Sequence, residues 1–580
     1  MENIVNVKIN GKEYAVPAGS TILEAARYAK IDIPTLCFLK DLNEIAACRI
    51  CVVEVKGARS LVASCVYPVN EGMEIQTNTP KIRESRKTTL ELLLSNHDKK
   101  CLSCIRSGSC ELQALCYEYG VEDVDRFKGL MQDFPLEISG EHLVRDNNKC
   151  ILCRRCEAAC RAQHVEVIGA NARGFDTHIG CAFEKTLAET ACVGCGQCIV
   201  ACPTGALRER DDVDAVFKEI SNPDKYVVFH AAPSVRAGLG EEFGLPIGTN
   251  VEGRMAAAAK RLGFDQVFDT NFAADLTIME EATEFLQRVK NGGKLPMITS
   301  CSPGWINYAE HFHPEFLDNL SSCKSPQQMA GSVIKTWFAE KNNLDPKNVV
   351  VVSAMPCTAK KGERLRDGQS AAGVPDTDYV LTTREFSRMI KRAGVDFVNL
   401  PDEDFDPALG VFSGAGVIFG ATGGVMEAAL RTAADVLEGK DLSQLDYHAV
   451  RGIDGVKEAS YEIAGLTVNV AVVSGLANAD ALLNKINAGE ADYHFIEVMC
   501  CPGGCVNGGG QPIKSAKVRN TVDIKTLRAS ALYNEDSGMK LRKSHQSPVM
   551  KMLYDEYFGE PGSHKAHEIL HTHYSAKPKY

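Results

Sequence analysis

Cys500, Cys501 and Cys505 stand in a stretch, 497–512, that is otherwise dominated by glycine. Thiolates are the donors that iron in sulfur clusters prefers, and glycines let a backbone approach a bulky inorganic object without steric conflict. So little bulk cannot pack a core. A buried cluster suits the segment better than a disulfide. Two earlier segments carry residues of the same kind: 299–305, with Cys301, and 355–363, with Cys357 and Lys360.

The N-terminal third holds most of the remaining cysteines, in regular groups. Cys37, Cys48, Cys51 and Cys65 are spaced C-x10-C-x2-C-x13-C, unlike the C-x4-C-x2-C of plant ferredoxins. His97, Cys101, Cys104 and Cys110 form H-x3-C-x2-C-x5-C, which reads as one four-member ligand set; Cys116 just beyond reads as a buried bystander. The only clear internal repeat follows. Cys150, Cys153, Cys156 and Cys160, then Cys192, Cys195, Cys198 and Cys202, each spell C-x2-C-x2-C-x3-C, the two-cluster bacterial ferredoxin pattern in which the fourth cysteine serves the other cluster. One cluster is therefore expected on Cys150, Cys153, Cys156 and Cys202, and the other on Cys160, Cys192, Cys195 and Cys198. Zinc is the rival for any isolated C-x2-C pair, and the doubled four-cysteine run argues against it. Cys181, between the runs, receives no role.

The elements that must hold these groups divide the 580 residues into several domains. Residues 1–80 read as a β-rich ferredoxin-like domain: Val5, Val7 and Ile9 alternate up to a turn at Asn10 and Gly11, Tyr14 and Val16 resume the pattern, and Thr21 with Glu24 spells a capping box. Residues 81–125 start with a helix to about Asn96 and carry the His/Cys3 set; 138–209 carry the two-cluster ferredoxin repeat. From 210 to 580 cysteines thin out, and short β-rich runs (226–229, 349–352, 468–473, 493–497) alternate with helical stretches such as 280–290 and 425–437, an α/β pattern. Several cysteine loops directly follow such strands, where ligands collect in α/β sheets. The fold class expected is multidomain, α+β followed by α/β.

Composition excludes several functions. With 23 cysteines, no basic, apolar leader and no long apolar run, the chain reads as a cytoplasmic metal-binding protein with no membrane span. A net charge of -11 disfavours nucleic acid. His567 and His571 imitate the zinc-protease H-E-x-x-H, but only nine residues follow to complete a protected site. Gly414, Gly416 and Gly420 are one residue too long for a dinucleotide fingerprint; close backbone packing explains them better.

Together the loops at 299–305, 355–363 and 497–512 resemble the signature loops of the iron-only (FeFe) hydrogenases, in the long, multi-cluster form of that family, and the resemblance extends over essentially the whole chain. Its N-terminal cysteines also resemble those of NADH dehydrogenase large subunits. The resemblance implies one 2Fe–2S cluster on the first four cysteines, a His-ligated 4Fe–4S cluster at His97, two further 4Fe–4S clusters, and in 210–580 an H-cluster: a 4Fe–4S cubane linked to a di-iron unit carrying carbonyl, cyanide and azadithiolate. It implies Cys357, Cys501 and Cys505 as ligands, Lys360 as the cyanide partner, and Glu281, Glu284, Ser321 and Arg288 as a proton route. Glu281 and Glu284 stand three apart, on one helix face. Pro233, Ser234, Ser325, Gln327, Met355 and Met499 match cluster-pocket positions.

One departure stands out. The family's commonest loop is Thr-Ser-Cys-Cys-Pro, with a proton-relaying first cysteine and a cubane-ligating second, whereas here Ser302 takes the second place. Either Ser302 binds iron through oxygen, or Cys301 becomes the ligand and Ser302 or water completes the proton path. Cys323 and Cys500 are remoter candidates. Thiolate is the softer donor, which favours Cys301. The activity implied is reversible interconversion of H2 with protons and electrons. Its electron partner is ferredoxin or, as the serine at 302 suggests, the flavin/NAD-binding Fe–S subunits of an electron-bifurcating complex; a stand-alone ferredoxin hydrogenase and an H2 sensor are the alternatives.

Overall fold

The computed structural model describes residues 3–579. Ile4–Ile9 and Lys12–Pro17 pair as the expected antiparallel hairpin, with Asn10 and Gly11 at positive φ in the turn, as a tight hairpin requires. Glu74–Gln76 adds to it in parallel and joins Val52–Val55 and Val62–Ala63 in a five-stranded sheet. Thr21 and Glu24 close the capping box on helix Ile22–Tyr28, whose apolar side chains are buried against that sheet. Helix Pro80–Leu94, capped by Thr79, leads out of this unit.

The cysteine repeat is also a conformational repeat. Helices Arg155–Arg161 and Gln197–Ala201 begin at the same point of their runs, each after a left-handed residue, Arg154 (φ 63°) and Gly196 (φ 69°). Leu143–Arg145 pairs antiparallel with Leu207–Glu209, tying the two ends of this unit together.

The remainder is built on two four-stranded sheets. In the first, Gln266–Asp269, Tyr226–Ala231, Val349–Met355 and Tyr379–Thr382 lie in that order, all parallel. All seven residues of Val349–Met355 are buried, as a strand covered on both faces must be. In the second, Met297–Ile298, Phe495–Met499 and Leu466–Ser474 run parallel, and Val456–Ile463 returns as an antiparallel edge. The long helix Asn271–Asn291 packs on Gly424–Glu438 and Pro326–Val333 between them. Among the described residues no helix is long and apolar enough to cross a membrane.

Candidate active site

All three cysteine loops leave the carboxyl ends of parallel strands: Cys301 follows Met297–Ile298, Cys357 follows Val349–Met355, and Cys500, Cys501 and Cys505 follow Phe495–Met499. The two sheets thus aim their loops at one place, as ligand sites in α/β folds do. There an internal cavity is walled by Cys301, Cys357, Cys505 and Lys360, with Pro233, Ser234, Gln327, Met355 and Met499 completing it. Ser302 and Ser325 are not part of this wall but adjoin its Cys301 and Pro326 in the chain.

The glycines of the last loop lie against other backbone. A Cβ on Gly508 or Gly510 would overlap the backbone of Pro356, and one on Gly509 would come within 2.3 Å of the Cys195 carbonyl oxygen. They let three polypeptide segments approach one another. Only Gly503 and Gly504 need glycine for conformation, at φ 88° and 94°. Gly416 and Gly420 likewise admit Asn271, Leu532 and Ser234 at close range, so the glycine-rich stretch is a packing feature.

The cavity is chemically suited to a soft metal centre. Burial raises the Cys505 thiol to about 12, with the neighbouring Cys501 adding, and raises Cys357 and Cys301 well above the ordinary thiol range. Thiols gathered in this way resist ionisation by themselves, and iron supplies the missing positive charge. The Ser234 hydroxyl, buried at the cavity, has no hydrogen-bond partner among the described residues. The residues present fit the iron-sulfur and di-iron group that the resemblance implies.

Lys360 reaches into the site from the first turn of helix Lys360–Glu363. Its ammonium donates to the Cys301 carbonyl at 3.2 Å and to both Glu363 carboxylate oxygens at 2.8 and 3.0 Å. Glu363 also accepts from the Ser325 hydroxyl at 2.9 Å and the Gln327 amide at 3.1 Å. It is the hub of the pocket wall. In the sequence only its place three residues after Lys360 on a helix marks it.

Along helix Asn271–Asn291 the acidic residues lead outward. Glu281 is fully buried, and neither of its carboxylate oxygens has a hydrogen-bond partner among the described residues. Burial, with the charge of Glu284 next, raises it to about 8. Glu284 accepts from the Ser321 hydroxyl at 2.9 Å and pairs with the part-exposed Arg288 at 2.6 Å. His571 lies just past its helix, His564–Leu570; its ring stands 4.1 Å from that of His567 and meets Ser322 Oγ at 2.8 Å and Glu280 at 3.1 Å. Cys323 is buried with its thiol 3.8 Å from Glu284.

The cysteines of the repeat gather as their spacing predicts. One cavity is lined by Cys150, Cys153, Cys156 and Cys202 and a second by Cys160, Cys192, Cys195 and Cys198, the exchange of fourth cysteines included. Cys37 neighbours Cys48, and Cys51 neighbours Cys65, within one buried group. His97 is buried, with Nδ1 unpartnered among the described residues, and burial lowers its pKa to about 4, which keeps the imidazole neutral as a ligand must be. Cys110 has Cys104 beside it, and Cys116 lies near both Cys110 and Cys101. Cys181 accepts from Arg145 at 3.8 Å, a structural contact. The units are knit together: Asn43 donates to the carbonyls of Cys37 and Cys153 at 2.7 and 3.0 Å, and Thr358 donates to that of Gly194 at 2.6 Å.

Residues 225–509 match the family described as iron only hydrogenase large subunit, C-terminal domain, and 522–577 the iron hydrogenase small subunit. Residues 2–80 match a 2Fe–2S iron-sulfur cluster binding domain, 86–125 the NADH-ubiquinone oxidoreductase-G iron-sulfur binding region, and 149–206 a 4Fe–4S dicluster domain. The chain is 48% identical over 584 residues to the NADP-reducing hydrogenase subunit HndD of Solidesulfovibrio fructosivorans, covering 99% of each. It is 46% identical over 571 residues to iron hydrogenase 1 of Clostridium pasteurianum, covering 98% of this chain and 99% of that one. A variant of the [FeFe]-hydrogenase HydA1 from Chlamydomonas reinhardtii superposes with a TM-score of 0.57 at 41% identity, over 64% of this chain and all of that one. The converging cysteine loops, the iron-sulfur units ahead of them and these end-to-end relatives agree: the chain is a member of the iron-only hydrogenase family, an enzyme with 2Fe–2S and 4Fe–4S domains preceding its hydrogenase domain.

Proposed function

We propose that the chain is the hydrogen-converting subunit of a complex that exchanges electrons with ferredoxin and with flavin/NAD-binding Fe–S partners. Four accessory clusters would form its electron path: a 2Fe–2S cluster on Cys37, Cys48, Cys51 and Cys65, one 4Fe–4S cluster on His97, Cys101, Cys104 and Cys110, and two on the repeat. A chain carrying so many free thiols belongs in the reducing cytoplasm. The observation that carries the reading is the single cavity on which Cys301, Cys357, Cys505 and Lys360 converge. When bound there, the di-iron unit supplies the open metal position and the immediate base for H2.

The protein's part is to bind, orient and insulate. Cys357, Cys501 and Cys505 would hold the iron; Lys360, fixed by Glu363, lines the cavity and would donate to cyanide. The Cys301 thiol lies beside Glu281, and a proton leaving the cavity passes from Cys301 to Glu281, then through Ser321 and Glu284 to Arg288 at the surface. Retention of Cys301 and both glutamates favours turnover over sensing.

The partner reading is supported by the relative named as a subunit of an NADP-reducing hydrogenase, which matches end to end. Anaerobic affinity purification of the matured chain tests both levels. Carbonyl and cyanide infrared bands with H2 turnover are expected, together with co-purifying flavin-containing chains and H2-dependent reduction of NAD or NADP that needs ferredoxin. A chain that purifies alone and reduces ferredoxin fully by itself supports the stand-alone form; absent bands refute the hydrogenase site.

A further inference from the structure

A cubane needs four donors, and Cys357, Cys501 and Cys505 provide three. The Cys301 thiol shares the cavity with Cys357 and Cys505, whereas Cys501 lies outside that lining. Cys301 packs with Cys505 and Met499, its charged neighbours being Glu281 and Lys360. The Ser302 hydroxyl is engaged, accepting from the backbone N–H of Cys500 at 3.2 Å. Cys323 points at Glu284.

Cys500 remains. It is buried, 5% exposed, with its thiol beside that of Cys501, and its sulfur packs on Gly304, two residues past Ser302, where an added Cβ would lie 2.7 Å from it. The same sulfur neighbours Cys195 of the ferredoxin repeat. Residue 500 and the hydroxyl at 302, joined through the Cys500 backbone N–H across 198 residues of chain, thus occupy one corner of the site.

We infer that Cys500, and neither Cys301 nor Ser302, is the fourth ligand of the cubane, the thiol having moved from the 302 side of the Ser302–Cys500 contact to the 500 side. The inference rests on the hydrogenase reading above. It leaves Cys301 free to carry protons and sets a cubane ligand against Cys195, a through-contact electron path from the nearest accessory cluster. Ser302 becomes a positioning residue that holds the backbone of residue 500.

The test uses the full chain reconstituted anaerobically with iron and sulfide alone, and separately the matured chain. Cys500→Ala is expected to lose one 4Fe–4S complement of iron and sulfide per chain in Mössbauer spectra and, after maturation, its carbonyl and cyanide bands. Cys301→Ala and Ser302→Ala are expected to keep both. The double variant Ser302→Cys/Cys500→Ala, which returns the thiol across the contact, is expected to restore iron and bands, which mere misfolding of Cys500→Ala would not allow. Wild-type iron and bands in Cys500→Ala overturn the inference, as does loss of only an accessory-cluster signal there, or a double variant no better than the single. Wild-type chain without bands instead refutes the hydrogenase reading itself.

Discussion

Ser321 gives its hydroxyl hydrogen to Glu284 at 2.9 Å, while Glu281, a turn back on the same helix, keeps both carboxylate oxygens unpartnered among the described residues. A buried carboxyl with no fixed partner can take a proton on one side and release it on the other. Glu281→Gln removes that capacity and little volume. H2 turnover should fall roughly a hundred- to ten-thousand-fold, the range for losing a positioned acid–base group. Infrared bands of the cofactor should be unchanged. Wild-type turnover in this variant would remove Glu281 from the route.

The same residue sets an expected pH profile. Raised to about 8 by burial, Glu281 holds its proton at neutral pH and ionises as pH climbs past that value. Proton delivery for H2 evolution should therefore decline above about pH 8, by up to about tenfold per pH unit, and the inflection should vanish in Glu281→Gln. The sign for stability follows from linkage. Between the ordinary 4.5 and about 8 the folded chain keeps a proton that the unfolded chain releases, so this group's contribution is full below the window and lost as pH rises through it. Initial-rate measurements with a low-potential dye from pH 6 to 9.5 check the activity profile.

Much of this arrangement was legible in residue spacing. The doubled C-x2-C-x2-C-x3-C run gave the two groups of four cysteines that each line one cavity, and the alternation of Val5, Val7 and Ile9 gave a hairpin, because both signals are local and periodic. What was not legible depends on distant segments meeting. Glu363 is ordinary until Ser325 and Gln327 arrive from another helix, and the partnership of Ser302 with Cys500 exists only once two strands of one sheet release their loops side by side. Gly508 to Gly510 belong here too: glycine reports that something comes close, and the neighbouring backbone of Pro356, Cys195 and Gly196 could not be named from spacing.

Glu363 anchors three polar groups of the pocket wall, and its removal should be felt through Lys360. Glu363→Ala leaves the buried ammonium with only the Cys301 carbonyl, freeing it to swing from the cavity. Misplacement by about 1 Å costs on the order of a hundred-fold in rate, and that loss is expected in H2 turnover, with the cyanide bands shifted. Glu363→Gln, which keeps an acceptor of the same length, should retain more activity than the alanine variant. Equal turnover in Glu363→Ala and wild type would show that Lys360 needs no anchor.

Gly509 tests whether the ferredoxin repeat must sit hard against the catalytic loops. Its α-carbon faces the Cys195 carbonyl and the Gly196 α-carbon, and an added methyl would stand 2.3 and 2.6 Å from them. Backbone cannot rotate away as a side chain can, so Gly509→Ala must push the two units apart or strain one of them, costing about 1–3 kcal/mol by the scale of overpacked cores. H2/D2O exchange requires only the cavity and its proton route, whereas on the inferred path dye- or ferredoxin-linked turnover also requires electrons to cross at Cys195. Gly509→Ala should therefore keep exchange near wild type while linked turnover drops at least about tenfold, since close contact is what the crossing depends on. If exchange and linked turnover fall together, the methyl has disturbed the cluster loops themselves. If neither falls, the contact is not the route electrons take.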